Sequence, residues 1–253
     1  MENKNESIIN DNKKEDEIKS DEINNKIQDK NIISGDKNYE AKIINVRENS
    51  EHKDAIVFKI IVIGNSGVGK TSITNKAIKD VFNENYRSTI GMEIFSLFLK
   101  INNKLIKLQI WDTCGQEIYR ALITNFYRNS SLAIIVYSIA KRESFKDIEM
   151  WMKELRLHSS PGIKIILIGN KSDLVDNREV SYEEGKKFLD EPEVINFYET
   201  SARTGENIKK IFEEVGIVLY KDYIKYKDEG SLKSCNSLRA EKASLNPKKK
   251  SCC

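Results

Sequence analysis

A glycine-rich segment, Gly64-Asn65-Ser66-Gly67-Val68-Gly69-Lys70-Thr71, lies between an apolar β-branched run and a helical pattern. Its glycines allow successive backbone N–H groups to curl around phosphate oxygens without Cβ clashes, and the start of the following helix adds partial positive charge. In a loop of this spacing the lysine reaches the β- and γ-phosphates, and the hydroxyl that follows it binds Mg²⁺. The pattern therefore predicts a phosphate-binding loop (P-loop) for a nucleoside triphosphate, without specifying the base. The residues assigned to the nucleotide here are Ser66, Gly67, Val68, Gly69, Lys70, Thr71 and Ser72.

A second polar segment, Asn170-Lys171-Ser172-Asp173, directly follows a predicted buried strand. It should therefore lie at the carboxyl edge of the sheet, where open α/β folds bind ligands. A carboxylate at Asp173 can accept hydrogen bonds from the ring N1–H and the exocyclic amine of guanine, whereas adenine would leave it buried and unpaired. Asn170 can brace the loop, and the aliphatic stem of Lys171 can cover the plane of the base. This segment predicts guanine as the base.

These two segments are positioned by alternating strand and helix patterns. Apolar runs predict buried strands, and two alternating runs joined at Asn102-Asn103 predict an antiparallel hairpin. The predicted strands are 56–63, 94–101, 105–111, 132–139, 163–168 and 194–199, and the predicted helices are 70–79, 144–157, 181–189 and 207–220. Because strands and helices alternate, we expect an α/β fold, a P-loop domain with a mostly parallel six-stranded sheet and helices on both faces.

Composition divides the chain into three zones. Residues 1–54 are rich in Asn, Lys and acidic residues and poor in aromatic ones, so we expect a disordered charged extension, with a structured second domain as the alternative. Residues 55–220 carry the strand and helix patterns of the nucleotide-binding domain. Residues 221–253 lose that periodicity and are expected to form a flexible basic tail ending in Lys248-Lys249-Lys250-Ser251-Cys252-Cys253.

The overall composition excludes several classes of protein. The 253 residues carry a formal net charge of +3, which is too small for a globally basic nucleic-acid-binding protein. Four cysteines, mostly in the tail, do not make a disulfide scaffold and favour a reducing, intracellular setting. No apolar run approaches the ~18 residues needed to span a bilayer.

Five motifs occur in the order found in the Ras superfamily of small GTPases, and they resemble the Rab branch most closely. They are GNSGVGKT, the STIG segment that contains Thr89, WDTCGQE, NKSD and TSAR, and the resemblance covers about residues 55–220. It implies a switch protein that binds GTP or GDP together with Mg²⁺ and hydrolyses GTP.

The resemblance implies further residues at the phosphate end of the site. Thr71, Thr89 and Asp112 would coordinate Mg²⁺, with Asp112 usually acting through water. Thr89 would also sense the γ-phosphate through its backbone, and the Gly115 amide would meet the same phosphate.

It also implies residues at the base end. Phe82 would pack edge-on against the guanine. Ser201-Ala202-Arg203 resembles a loop in which the Ala202 amide bonds guanine O6. Arg203 stands where the family has a lysine, whose aliphatic stem an arginine mimics only partly.

Gln116 is the implied catalytic residue, which would orient the attacking water. Phosphoryl transfer to water depends on positioning and charge neutralisation, and the sequence shows no evident internal arginine finger. We therefore expect slow intrinsic hydrolysis and an arginine supplied by a partner, worth roughly 10³–10⁵ in rate. Residues 83–93 and 114–127 would be two switches that are ordered by the γ-phosphate and released on hydrolysis.

The switches imply an exchange factor, a GTPase-activating protein and effectors as partners. The chain departs from the Rab pattern on or near these surfaces, and the departures would decide which effectors, exchange factors and escort proteins bind. They are at Ile94, Cys114, Ile118-Tyr119 and Ser138.

The pair Cys252-Cys253 resembles the end of Rab proteins that carry two geranylgeranyl groups. It implies dual prenylation, with prenyl-transfer and escort proteins as partners. One lipid chain binds a bilayer marginally whereas two signals anchor stably, and the adjacent lysines would add about 1 kcal/mol each at an anionic leaflet. We therefore expect the cytoplasmic face of an intracellular membrane in the Golgi and endosomal system, with a cytosolic pool and a role in vesicle trafficking.

Two other interpretations remain open at this point. A scaffold that holds GTP and hydrolyses it negligibly is slightly favoured by the changes at Ile118 and Tyr119. A P-loop kinase or ATPase would instead bind ATP, and Asp173 would then not contact the base.

Overall fold

The computed structural model describes residues 39–44, 54–84, 89, 91–115 and 125–228. Within these ranges a seven-stranded sheet is flanked by helices. The strands are β1 (Ala41–Ile44), β2 (Ile56–Ile63), β3 (Met92–Ile101), β4 (Lys104–Thr113), β5 (Leu132–Ser138), β6 (Lys164–Asn170) and β7 (Val194–Thr200). The helices are α1 (Lys70–Lys79), α2 (Arg142–Lys146), α3 (Ile148–His158), α4 (Tyr182–Lys186) and α5 (Ile208–Asp228), with 3₁₀ turns at Val175–Asn177 and Lys187–Asp190.

The strand order in the sheet is β1-β3-β4-β2-β5-β6-β7. Strands β4, β2, β5, β6 and β7 pair in parallel, and β3 pairs antiparallel with both β4 and β1. Asn102 and Asn103 join β3 to β4 with φ of 45° and 62°, the left-handed conformation that a tight hairpin turn requires. The expected α/β fold with a mostly parallel sheet is confirmed.

Both faces of the sheet are buried, which explains the continuous apolar runs of its central strands. Along β2, Phe58, Ile60 and Val62 pack in the cluster that includes the apolar faces of α1 and α5. Ile61 and Ile63 alternate with them and pack in the cluster on the α3 side. The strand is therefore fixed between two cores, and the loop that follows it is held in one place.

The sheet has one strand more than the six expected, because residues 41–44 of the zone expected to be disordered form β1. Strand β1 pairs with Phe98–Ile101 of β3. The ring of Tyr39 meets Tyr220 edge-on at 5.8 Å between centroids, and the Ile43 N–H donates to Glu213 Oε1 at 3.4 Å. A four-residue strand carries too little local signal to be recognised, since its stability comes from the sheet edge and helix that it contacts.

Three helices also differ from the expected bounds. The helix predicted over 181–189 is α4 (Tyr182–Lys186) followed by the 3₁₀ turn Lys187–Asp190. The helix predicted over 144–157 is two helices, α2 and α3, which meet at Asp147. Helix α5 continues to Asp228 rather than ending at Tyr220, because Tyr223 and Ile224 still pack against the core. None of the helices in the described ranges combines the length and the apolar composition needed to cross a bilayer.

The topology brings the predicted motifs to one edge of the sheet. Strands β2, β4, β6 and β7 run parallel, so their carboxyl ends lie at the same edge. The P-loop follows β2, Asp112 lies at the end of β4, Asn170 ends β6 and Ser201 follows β7. This edge is where open α/β sheets bind ligands.

Candidate nucleotide site

The P-loop ends at Gly69, which has φ of 103° and stands directly before α1. A Cβ atom at this position would lie 2.2 Å from Nδ2 of Asn170, so only glycine fits between the loop and the end of β6. The loop is therefore packed directly against the segment predicted to recognise the base.

Lys70 is the first residue of α1 and is buried. Its Nζ donates to the carbonyl oxygens of Gly64 and Asn65, both at 2.8 Å. Burial lowers the pKa of Lys70 to about 8, an effect that the nearby Asp112 carboxylate opposes. A phosphate anion beside this ammonium group would favour its charged form in the same way.

Three oxygen-bearing side chains meet beside Lys70. Thr71 Oγ1 lies 2.8 Å from Thr89 Oγ1 and donates to Asp112 Oδ2 at 2.5 Å. Burial raises the pKa of Asp112 to about 6, against the opposing effects of the Thr71 hydrogen bond and the Lys70 charge. Asp112 Oδ1 is buried and has no hydrogen-bond partner in the described part of the chain.

These groups fit a magnesium ion. Hydroxyl and carboxylate oxygens are ligands that Mg²⁺ prefers, and the orphaned Asp112 Oδ1 is a buried acceptor suited to a cation or to its bound water. In the described ranges, no cluster of three His, Cys, Asp or Glu side chains could hold a metal. A site with a single carboxylate suits Mg²⁺, which usually keeps several waters and shares the oxygens of a bound phosphate.

A cavity of about 330 Å³ opens beside the P-loop. Gly67 and Gly69 of the P-loop and Ser72 of α1 line part of it. Its lining also includes Phe82, Asn170, Lys171, Asp173, Ala202 and Arg203. Three of the predicted phosphate-binding residues therefore share one space with the predicted base-binding residues.

Asn170 links the P-loop to the end of β7 and to the loop that follows it. Its Nδ2 donates to the carbonyl of Val68 in the P-loop at 2.8 Å. Its Oδ1 accepts from Thr200 Oγ1 at 3.1 Å and from the Ala202 amide at 3.2 Å. One buried side chain therefore fixes the P-loop, the end of β7 and the loop after β7 relative to one another.

The loop after β7 is tied to the predicted base-recognition segment. Ser201 Oγ donates to Asp173 Oδ1 at 2.6 Å and accepts from the Thr204 amide at 3.1 Å. Two further residues of the cavity lining are paired, because Arg203 Nη2 donates to Glu84 Oε1 at 2.8 Å. The hydrogen bond of Ser201 orients the Asp173 carboxylate, and the ion pair joins Arg203 to Glu84 in the cavity lining.

Some predicted residues fall outside the described ranges. Gln116, Cys252 and Cys253 are among these, and so are parts of the two expected switches, 83–93 and 114–127. Gly115 is described: a Cβ there would lie 2.3 Å from the Asn65 carbonyl carbon and 2.4 Å from the Ser66 nitrogen. The start of the second expected switch is therefore in direct contact with the P-loop backbone.

Sequence reasoning missed a polar cluster behind the P-loop. Asn65 Nδ2 donates to Asp147 Oδ2 at 2.5 Å, and Trp151 Nε1 donates to Asn65 Oδ1 at 2.8 Å. Asn65 occupies a variable position of the motif, and more than 80 residues separate it from both partners. No local pattern signals such a contact, because it forms only when α3 packs on the sheet.

Comparison with known proteins found a family model and several relatives that match this chain. The sequence model of the protein family described as the Ras family matches residues 59–221. The chain is 42% identical over 165 residues to the Ras-related protein RABA1b of Arabidopsis thaliana, covering 65% of this chain and 76% of that protein. It is 40% identical over 196 residues to the Ras-related protein Rab11D of Lotus japonicus, covering 77% and 89%. It is also 44% identical over 169 residues to the Ras-related protein Rab-11B of Dictyostelium discoideum, covering 67% and 76%.

The matched region contains the P-loop, the oxygen cluster at Asp112, the base-end segments after β6 and β7, and most of α5. The family match and the named relatives agree with the resemblance that the five motifs predict. This chain therefore belongs to the Ras family, as a small GTPase of the Rab branch.

Proposed function

We propose that this protein is a switch that cycles between GTP and GDP, hydrolyses GTP slowly and regulates vesicle trafficking. The observation that supports this most strongly is the Asn170 side chain, which joins the P-loop to the loop that faces Asp173. One ligand with a triphosphate at one end and a purine at the other would contact both the P-loop and the segments that follow β6 and β7.

At the phosphate end, Thr71, Thr89 and Asp112 would hold Mg²⁺, which when bound neutralises phosphate charge. Lys70 neutralises the β- and γ-phosphates, and the P-loop amides and Gly115 hold their oxygens. Gln116 orients a water whose oxygen attacks the γ-phosphorus while the bond to the β–γ bridging oxygen breaks, which yields GDP and phosphate. A GTPase-activating partner supplies the missing arginine.

At the base end, Asp173 accepts hydrogen bonds from guanine N1–H and the exocyclic amine. The Ala202 amide donates to guanine O6, while Lys171 and Phe82 cover the ring. Ser201 supports this assignment, because its hydrogen bond to Asp173 Oδ1 orients the carboxylate. Adenine has no donor at N1 and presents an amine where guanine has O6, so it would leave these groups unpaired.

Exchange factors and effectors would bind at the switch regions. Trp111 lies at this surface, with its ring 5.6 Å from that of Phe126 and the Lys59 ammonium 3.9 Å from its centroid. Ile94 pairs with Trp111 across the β3–β4 ladder and is 49% exposed. Because Rab proteins favour phenylalanine at this position, Ile94 would select partners that accept a smaller side chain.

Membrane attachment would come from prenyl groups on Cys252 and Cys253, added and carried by prenyl-transfer and escort proteins. The protein would then act on the cytoplasmic face of a Golgi or endosomal membrane and keep a cytosolic pool. The relatives named Rab11D and Rab-11B support a place in the endomembrane system.

Titration calorimetry of the purified full chain with GDP, GTP and ATP in Mg²⁺ tests the proposal. We expect tight binding of both guanine nucleotides and at least a 10³-fold preference over ATP, as for sites whose buried polar groups must be paired. An equal or greater affinity for ATP would contradict it.

The variant Gln116→Leu tests hydrolysis. We expect single-turnover GTP hydrolysis to slow at least ~10-fold with little change in GDP affinity, because the residue would position water rather than nucleotide. Gln28→Leu, outside the nucleotide-binding domain, is the matched control. An unchanged rate would remove the role of Gln116, and negligible hydrolysis by the wild type even with a GTPase-activating partner would favour the scaffold interpretation.

A further inference from the structure

The side chain of Asn65 is held from outside the P-loop by two residues at the start of α3. Asn65 donates to the Asp147 carboxylate and accepts from the Trp151 indole, with distances of 2.5 and 2.8 Å. Trp151 is only 3% exposed and packs in the core between α3 and the sheet. Packing therefore fixes the indole donor, and the hydrogen bond from the indole in turn fixes the Asn65 amide.

The backbone of Asn65 lies where two groups of the phosphate end meet. Its carbonyl oxygen accepts from Lys70 Nζ at 2.8 Å. The same peptide is in contact with Gly115, where an added Cβ would approach Asn65 O to 2.5 Å and Ser66 N to 2.4 Å. A shift of this peptide would displace both Lys70 and Gly115, which lies at the start of the second expected switch.

We propose that Asn65 is a positioning residue for the γ-phosphate end, and that Trp151 and Asp147 hold it through this pair of hydrogen bonds. The proposal rests on the proposed GTP-dependent function. Helix α3 and its N-cap thereby hold in place the Asn65 peptide, which accepts a hydrogen bond from Lys70 and contacts Gly115. GDP has no γ-phosphate and so contacts fewer groups here than GTP does. Loss of the hydrogen bonds that hold Asn65 should therefore lower GTP affinity and hydrolysis more than GDP affinity.

Exchanging the amide of Asn65 and the carboxylate of Asp147 tests the hydrogen bond between these two side chains. Asn65→Asp keeps an acceptor for Trp151 but places a carboxylate against Asp147, so the contact becomes repulsive. Adding Asp147→Asn restores a donor and an acceptor with their roles reversed. Asp147→Asn alone keeps an acceptor oxygen, and Glu149→Gln makes the same acid-to-amide change at an exposed residue two positions along.

The readouts are single-turnover GTP hydrolysis and the affinities for GTP and GDP. We expect Asn65→Asp to lower hydrolysis and GTP affinity about tenfold, with GDP affinity changed less than ~3-fold. The double variant should recover to within ~3-fold of wild type, and Glu149→Gln should equal wild type.

Trp151→Phe provides an independent check should Asn65→Asp fold poorly. It keeps an aromatic ring in the core and removes the N–H donor together with part of the indole, so we expect a ~3- to 10-fold loss of GTP hydrolysis with GDP affinity retained. A double variant as slow as Asn65→Asp, or equal losses for GTP and GDP, would overturn the inference while leaving the proposed function intact. A wild-type protein that binds no guanine nucleotide would overturn both.

Discussion

Asn170 shows how much of this site depends on a single side chain. Its amide satisfies the Val68 carbonyl, the Thr200 hydroxyl and the Ala202 amide, and all four residues are buried. A buried polar group that loses its partner costs about 1–3 kcal/mol. The residue therefore contributes to the stability of the fold as well as to the shape of the cavity.

The substitution Asn170→Ala is expected to lower the free energy of unfolding by about 2–4 kcal/mol and to weaken GDP binding at least ~10-fold, because it leaves three groups unpaired. Chemical denaturation and the affinity for a fluorescent GDP analogue measure the two effects. Asn177→Ala, at an exposed asparagine in a 3₁₀ turn, should change neither. Full stability in Asn170→Ala would contradict the linking role.

The ion pair between Arg203 and Glu84 makes a smaller contribution. The two side chains are 57% and 71% exposed, and surface pairs of this kind are worth at most ~1 kcal/mol. We expect Arg203→Ala and Glu84→Gln each to accelerate GDP release about 2- to 5-fold, and the double variant to release no faster than the quicker single one.

Stopped-flow release of a fluorescent GDP analogue at low and high salt measures this contribution. The effect should shrink as salt rises, because exposed charges are screened. Arg142→Ala, which removes a surface pair with Glu184, is the matched control. Independent, additive effects of the two substitutions would show that the contact has no role in holding the nucleotide.

At the scale of elements, β1 adds stability at a distance from the site. It pairs with the Ile101 end of β3, whereas the Met92 end of β3 pairs with Thr113 at the edge that carries the site. Tyr39, just before β1, packs against Tyr220 of α5 and has the Lys221 ammonium 5.4 Å from its ring centroid. The strand therefore joins the sheet edge to the last helix.

Removal of residues 1–44 is expected to lower the free energy of unfolding by about 2–4 kcal/mol, since it deletes the ladder pairing and the buried part of the Tyr39 ring. Removal of residues 1–38, which keeps β1, is the control. Denaturant titration compares the two, and GDP affinity should be the same in both. Equal stability of the two truncated chains would show that β1 contributes nothing.

At the scale of the whole molecule, the nucleotide-binding domain and the proposed membrane anchor are separable. The site is built entirely from residues within 64–203, whereas the proposed lipid attachment lies at Cys252 and Cys253. The two functions should therefore respond independently to substitution.

Replacement of both Cys252 and Cys253 by Ser is expected to move a tagged protein from membranes to the cytosol, because two lipid chains are needed for a stable anchor. Guanine-nucleotide affinity should not change. Cys235→Ser, at another thiol of the same segment, is the control and should leave membrane association intact. Fractionation and mass spectrometry of the intact protein measure the outcome, and membrane retention of the double variant would contradict dual prenylation.

Much of the fold was predictable because its signals are local. The bounds of β2 and α1 match the expected 56–63 and 70–79, since a buried strand, a glycine loop and a helix follow one another with no gap. The Asn102-Asn103 turn was equally clear. Strand β1 was missed because four residues gain their structure from contact with a sheet edge rather than from a pattern of their own.

The sequence by itself determined the α/β class, the P-loop and the segment that would select the base, because each depends on residue types at fixed short spacing. Only the tertiary structure decided that Asn170 reaches Val68, that Arg203 pairs with Glu84, and that Trp151 and Asp147 hold Asn65. These contacts join residues 82 to 119 positions apart. They depend on how strands order and helices pack, and no short stretch of sequence carries that information.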